Sequence, residues 1–69
     1  MKLSARNDLP GTIFSVTRGA TTAHVVMELA PGLIVTASIT NQAVDDLGLA
    51  PGQPARAIIK ASDVMIGVE

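Results

Sequence analysis

Three short stretches combine cations and hydroxyls with backbone free to bind: Ser4-Ala5-Arg6-Asn7, Ser38-Ile39-Thr40-Asn41 and Lys60-Ala61-Ser62. Each falls at an expected strand end or turn, where main-chain N–H groups lack a ladder partner. Together they describe an anion site. A tetrahedral dianion presents acceptor oxygens and no donors at neutral pH. Its site therefore needs ammonium, guanidinium, hydroxyl and main-chain N–H groups, and these stretches hold all of them. About four to six charge-assisted bonds at roughly 1.5 to 3 kcal/mol each give on the order of 6 to 18 kcal/mol. Association costs ~4 kcal/mol or more. Micromolar binding, about −8.2 kcal/mol, lies within the difference.

The same residues also have ordinary uses. Arg6 and Lys60 can be solvated surface charges. Asn7 and Asn41 can serve turns or caps, and Ser4, Thr40 and Ser62 can satisfy local backbone. His24 is read as a strand residue at a rim or interface, since no second ligand accompanies it. Asp45-Asp46 is most simply a solvated helix face.

Composition narrows the classes. Residues 1–69 are expected to form one domain, and a domain near this size buries only about 60% of the surface its unfolded chain exposes. The chain has no Cys and His24 is its one histidine, so neither a disulfide framework nor a zinc site can brace it. Oligomerisation is the remaining support. Apolar residues make up 48% of the sequence with Phe14 the only aromatic, more aliphatic surface than one small barrel hides. Part of it is expected to face other subunits.

The net charge of −1, from five Lys/Arg and six Asp/Glu, provides no general attraction for nucleic acid or anionic membranes. Met1-Lys2-Leu3-Ser4-Ala5 meets Arg6, Asn7 and Asp8 before any long apolar run, so no signal peptide is expected. No stretch approaches the ~20 apolar residues of a membrane span. A cytoplasmic location follows as the expectation.

The elements that must position the donors read as mainly β. Residues 11–18 are rich in β-branched types, with Phe14 and Val16 on one face at the strand period. After the Gly19-Ala20-Thr21-Thr22 turn, Ala23, Val25, Met27 and Leu29 alternate with His24, Val26 and Glu28, the pattern of a half-buried antiparallel strand. Ala30-Pro31-Gly32 supplies a hairpin turn. A third strand places Leu33, Val35, Ala37 and Ile39 opposite Ile34, Thr36, Ser38 and Thr40.

Asn41 to Gly48 then reads as a helix of about two turns, with Asn41 as cap and Gly48 at the left-handed end. It is too short to stand alone, so Val44, Leu47 and Leu49 must pack on the sheet. Pro51-Gly52 makes another turn, residues 55–60 a fourth strand, Ser62-Asp63 a bend, and residues 64–68 a short closing strand. The expected architecture is a five-stranded antiparallel OB-like barrel with one short helix.

At this point the ordered motifs carry a resemblance. Met1-Lys2-Leu3-Ser4-Ala5-Arg6-Asn7 with Leu9-x-Gly11-x-Ile13, then Arg18-Gly19-Ala20, Ile39-Thr40-Asn41, Leu47-Gly48-Leu49-x-x-Gly52 and Ile59-Lys60-Ala61-Ser62-x-Val64-Met65, strongly resemble the molbindins. These are stand-alone molybdate-binding domains of the TOBE/Mop type. The resemblance covers essentially the whole chain. It implies a homohexamer, a trimer of dimers, that binds molybdate or tungstate at subunit interfaces for storage or buffering.

Carried over by position, the main site comprises Ser4, Ala5 and Arg6 from one subunit with Thr40, Lys60 and Ala61 from a neighbour. Lys60 would supply the charge, Ser4 and Thr40 the hydroxyls, and Arg6 and Ala61 backbone N–H groups. A second class of site near the three-fold axis would involve Gly19, Ala20, Thr21 and Thr22.

Two other functional classes compete with this one. Leu47-Gly48-Leu49-Ala50-Pro51-Gly52 also looks like a segment of swapped-hairpin regulators that bind DNA, but this chain has neither a basic face nor base-stacking aromatics. A purely structural interaction module would share the apolar excess. An enzyme is not expected: there is no Cys nucleophile and no defensible Ser-His-Asp spacing, and Glu28, Asp45 and Asp46 lack an evident acid/base partner.

Overall fold

A computed structural model describes residues 1–69. Its elements run β1 (Asn7–Arg18), β2 (Thr22–Ala30), β3 (Leu33–Thr40), α1 (Asn41–Leu47) and β4 (Pro54–Ile59), followed by a 3-10 turn, Ala61–Asp63. One antiparallel sheet holds the strands in the order β3-β2-β1-β4.

The long first strand organises the molecule by changing partners midway. Its first half, residues 7–12, pairs with β4, and its second half, from Thr12 to Arg18, pairs with β2. The change of partner falls at Thr12, directly after Gly11, where a side chain would not fit: a Cβ there would lie 2.7 Å from the Glu28 carbonyl oxygen and 2.9 Å from Leu29. Just beyond, a bulge sets Phe14 and Ser15 opposite Val26. The loop before β4 is stitched to the same place, with Ile13 N donating to Gln53 O at 2.9 Å and Gly52 N to Ile13 O at 2.8 Å. The sheet thus curls into a half-barrel around Ile13.

Six residues are fully buried: Ile13, Ala23, Val25, Met27, Val44 and Ala57. This thin core matches the expectation for the chain length. The alternation of β2 holds, with Ala23, Val25 and Met27 buried and His24 and Glu28 exposed. In β3 it holds only in part: Val35 and Ile39 are half-buried, whereas Leu33 and Ala37 are exposed.

Several expectations are corrected. There are four strands, not five, because residues 64–68 pair with no strand and lie exposed after the 3-10 turn. β1 starts at Asn7 rather than Gly11. Pro10 is tolerated because this half of β1 has only β4 beside it, so one edge needs no N–H donor. Phe14 does not share the inward face with Val16; the bulge turns it outward, 65% exposed, and Ile13 takes the core position.

The helix is capped by Thr40, whose Oγ1 accepts from Ala43 N at 3.0 Å, rather than by Asn41. Gly48 takes the left-handed end as expected, at φ 60°, with its N–H on Asp45 O. Val44 and Leu49 pack on the sheet, but Leu47 faces outward and is 64% exposed.

Candidate anion-binding site

The two ends of β1 hold the candidate donors in separate groups. At its start, Asn7 pairs with Ile59, and the Asn7 side chain locks that end by donating from Nδ2 to Ile59 O at 3.1 Å. Residues 4–6 run into the strand and Lys60-Ala61 run out of its partner, so Ser4, Ala5, Arg6, Lys60 and Ala61 gather at one end of the β1–β4 ladder. All are exposed except the half-buried Ala5. Lys60 stands in extended conformation before the 3-10 turn, and its carbonyl accepts from Asp63 N at 2.9 Å.

Charge is distributed to match. Arg18 pairs with Asp45 at 2.5 Å, and Arg56 pairs with Asp8 at 2.6 Å. The hydrogen bond to Asp8, and then its charge, raise the Arg56 pKa above its ordinary value. The three remaining cations are Lys2, Arg6 and Lys60, which precede or follow the same ladder end. Asp63 in the adjoining turn is the acidic group nearest in sequence to Lys60.

Thr40 lies elsewhere. It ends β3, opposite Thr22 of β2, at the other end of the sheet. Its Oγ1 accepts the helix-cap bond, which leaves the hydroxyl hydrogen free to donate. An open apolar groove of about 410 Å³ separates the groups: Ile39, next to Thr40, lines one side, and Ile58, two residues before Lys60, lines the other. One chain therefore brings Ser4, Ala5 and Arg6 beside Lys60 and Ala61 and leaves Thr40 across the groove.

The Gly19-Ala20-Thr21-Thr22 turn is exposed and held from within. Gly19 N donates to Thr22 O at 2.7 Å, Asn41 N to Thr21 O at 2.9 Å and Asn41 Nδ2 to Gly19 O at 3.0 Å. Three of the turn's carbonyls are thus engaged, and its threonine side chains face solvent. Asn41 Oδ1 is buried there without a partner. His24 sits on the outer face between Thr17 and Ser38.

Sequence reasoning missed both ion pairs, including the Arg18 partner of Asp45. They join residues 27 and 48 positions apart, and no local pattern signals them. It also missed the groove, whose apolar residues come from every element of the sheet.

No group of three or more His, Cys, Asp or Glu side chains converges anywhere in the fold. What the ladder end offers is donors: an ammonium, a guanidinium, the Ser4 hydroxyl and main-chain N–H groups.

The TOBE domain family matches residues 3–66. The chain belongs to that family. The match spans all four strands and the helix, and the resemblance to molbindins read from the motifs is borne out by the relatives. Molybdenum-pterin-binding protein 3 of Clostridium pasteurianum is 46% identical over 96% of this chain and 97% of its own length.

The molybdenum transport protein ModE of Herbaspirillum seropedicae is 51% identical over 97% of this chain, which spans only 25% of that protein. Among solved structures, the cytoplasmic molybdate-binding protein ModG with molybdate bound superposes with a TM-score of 0.94 at 46% identity. That match covers 100% of this chain and 49% of ModG. No helix of this TOBE domain is long and apolar enough to cross a membrane.

Proposed function

We propose that this chain is a cytoplasmic molybdate-binding protein, with tungstate as the same-shaped alternative, and that it binds the oxyanion between copies of a homo-oligomer. Residues 1–69 act as one binding domain and catalyse nothing. The role is storage or buffering, and the assembly is a hexamer built as a trimer of dimers.

The main site takes Ser4, Ala5, Arg6, Lys60 and Ala61 from the ladder end of one subunit, which groups them instead of dividing them between neighbours as the resemblance implies, and Thr40 from a neighbour. Gly19, Ala20, Thr21 and Thr22 form a second class of site where three subunits meet. The observation that carries the reading is the end of the β1–β4 ladder. There the cations without an ion pair accompany a hydroxyl and main-chain donors, in a chain otherwise slightly acidic. A second subunit is needed because Thr40 lies across the groove from Lys60 in its own chain.

Titration calorimetry tests this directly. Molybdate should bind with micromolar or tighter affinity, and sulfate at least tenfold more weakly. Both are tetrahedral dianions without donors, so the cavity's size must discriminate between them. Absence of heat with molybdate, or equal affinity for sulfate, would remove the reading.

A further inference from the structure

We infer that Arg56 is a positioning residue for the oxyanion site proposed above: by holding Asp8, it keeps a carboxylate off Lys60 and Arg6 and so leaves both cations open to the anion. This role presupposes that site. Asp8 is the only acid in either strand of the β1–β4 ladder. It lies one residue inside the last pair, Asn7 with Ile59, and directly opposite Ile58. Opposed residues of an antiparallel ladder share a face, as do residues two apart along each strand. Asp8 therefore has Arg56 on one diagonal. Lys60, in extended backbone just past the strand, follows on the other diagonal, and Arg6 stands two residues before Asp8 at the entry to β1. Diagonal neighbours sit about 7 to 8 Å apart, within reach of long side chains. One carboxylate thus has three cations around it.

It is committed to the cation deepest in the ladder. Arg56 Nε donates to Asp8 Oδ1 at 2.6 Å, whereas neither Lys60 nor Arg6 forms an ion pair. Arg56 is fixed in the regular part of β4, opposite Pro10, so its guanidinium reaches Asp8 from the side away from the ladder end. The bond to Asp8, and then its charge, hold the Arg56 pKa above its ordinary value, as befits an engaged cation. Without Arg56 the carboxylate has Lys60 and Arg6 as its remaining partners, and an arriving dianion must displace it to reach them. The Arg56 and Asp8 side chains are 49% and 36% exposed, so water screens the pair and the effect on affinity is modest.

A double-substitution cycle in the full chain tests this role by molybdate calorimetry. Arg56→Gln should weaken binding about threefold to fivefold, the upper range for an exposed pair. Asp8→Asn alone should leave affinity within about twofold, because that charge is already occupied. Added to Arg56→Gln, it should restore the parent's affinity. Two charges acting independently on the anion would instead give Asp8→Asn the same gain in both backgrounds. That result would overturn the inference, as would full affinity in Arg56→Gln. Native mass spectrometry of each variant should show the parent's copy number; affinity lost together with copy number, and not recovered by Asp8→Asn, would make Arg56 an assembly residue and equally overturn it. A parent protein that binds no molybdate would instead remove the site itself, so the two readings fall separately.

A second measurement needs no molybdate. In the ligand-free chain, the side-chain nitrogen NMR signal of Lys60 or Arg6 should move on Arg56→Gln and return when Asp8→Asn is added, while that of Arg18, held by Asp45, stays in place. Unmoved Lys60 and Arg6 signals would show that a released Asp8 does not approach them, and Arg56 would then guard nothing.

Discussion

Arg6 stands just before β1 and Arg18 ends it, and the two are treated in opposite ways. At the Arg18 end, Asp45 neutralises the guanidinium, Asn41 takes up the turn carbonyls and Thr40 caps the helix. That end satisfies itself. At the Arg6 end, Lys60 joins a second cation, neither has an ion pair, and the adjoining segment leaves its apolar side chains uncovered. The difference separates groups that complete a small fold from groups left for something outside the chain. Donors without partners are costly only when buried; at an exposed ladder end they can wait for an anion.

The largest expected effect comes from the residue that joins the two ends. Ile13 is 2% exposed, packs at the centre of the core and exchanges backbone bonds with Gly52 and Gln53. Ile13→Ala should cost about 2 to 5 kcal/mol. Both ends should be lost together in one denaturant transition, and two separate transitions would show that they are independent units.

Next is the charge that distinguishes the ends. Lys60→Ala should weaken molybdate binding more than tenfold, about 1.4 kcal/mol or more, while thermal stability stays within experimental scatter because Lys60 forms no ion pair. Unchanged affinity in calorimetry would take Lys60 out of the site.

Thr40 bridges the comparison, since it caps the helix at one end and is assigned to the anion reached from another subunit. Thr40→Ala should cost about 1 kcal/mol of stability through the lost cap, and should also weaken molybdate binding. Thr40→Ser should restore both. Lost stability with full affinity would confine Thr40 to the cap, leaving the site to the ladder end.

How much of this was readable in advance depended on whether a feature is local. The alternation of β2 was legible because one face is buried and the period of two shows directly. The Gly48 helix end was legible because its chemistry sits within a few residues. The Phe14 bulge was not, since it is a property of pairing with Val26 across the sheet. Pro10 hid the first half of β1, which reads as a breaker until the single neighbour is known. Residues 64–68 have the composition of a strand, but composition cannot say whether an edge of the same chain is free to take them.

The candidate donors were found by type, yet their grouping was not. Only the pairing of Asn7 with Ile59 sets residues 4–6 beside Lys60 and separates both from Thr40.

The smallest expected effect probes the cause of the asymmetry. Asp45→Asn removes the partner of Arg18 in an exposed pair, worth about 0.2 to 1 kcal/mol by the usual measure of such contacts. Stability should fall by no more than that, and molybdate affinity at the main site should stay within twofold. What changes is the character of the end. Arg18 becomes a free cation beside the exposed residues 19–22, as Arg6 is beside Lys60. If neutralisation by Asp45 limits anion binding at the second site in that turn, native mass spectrometry in molybdate should then show more bound anion per chain than the parent protein does. If the anion count stays the same, charge does not decide between the ends. The difference would then lie in geometry, because Asn41 already holds the turn's carbonyls and shape in place, whatever the charge on Arg18.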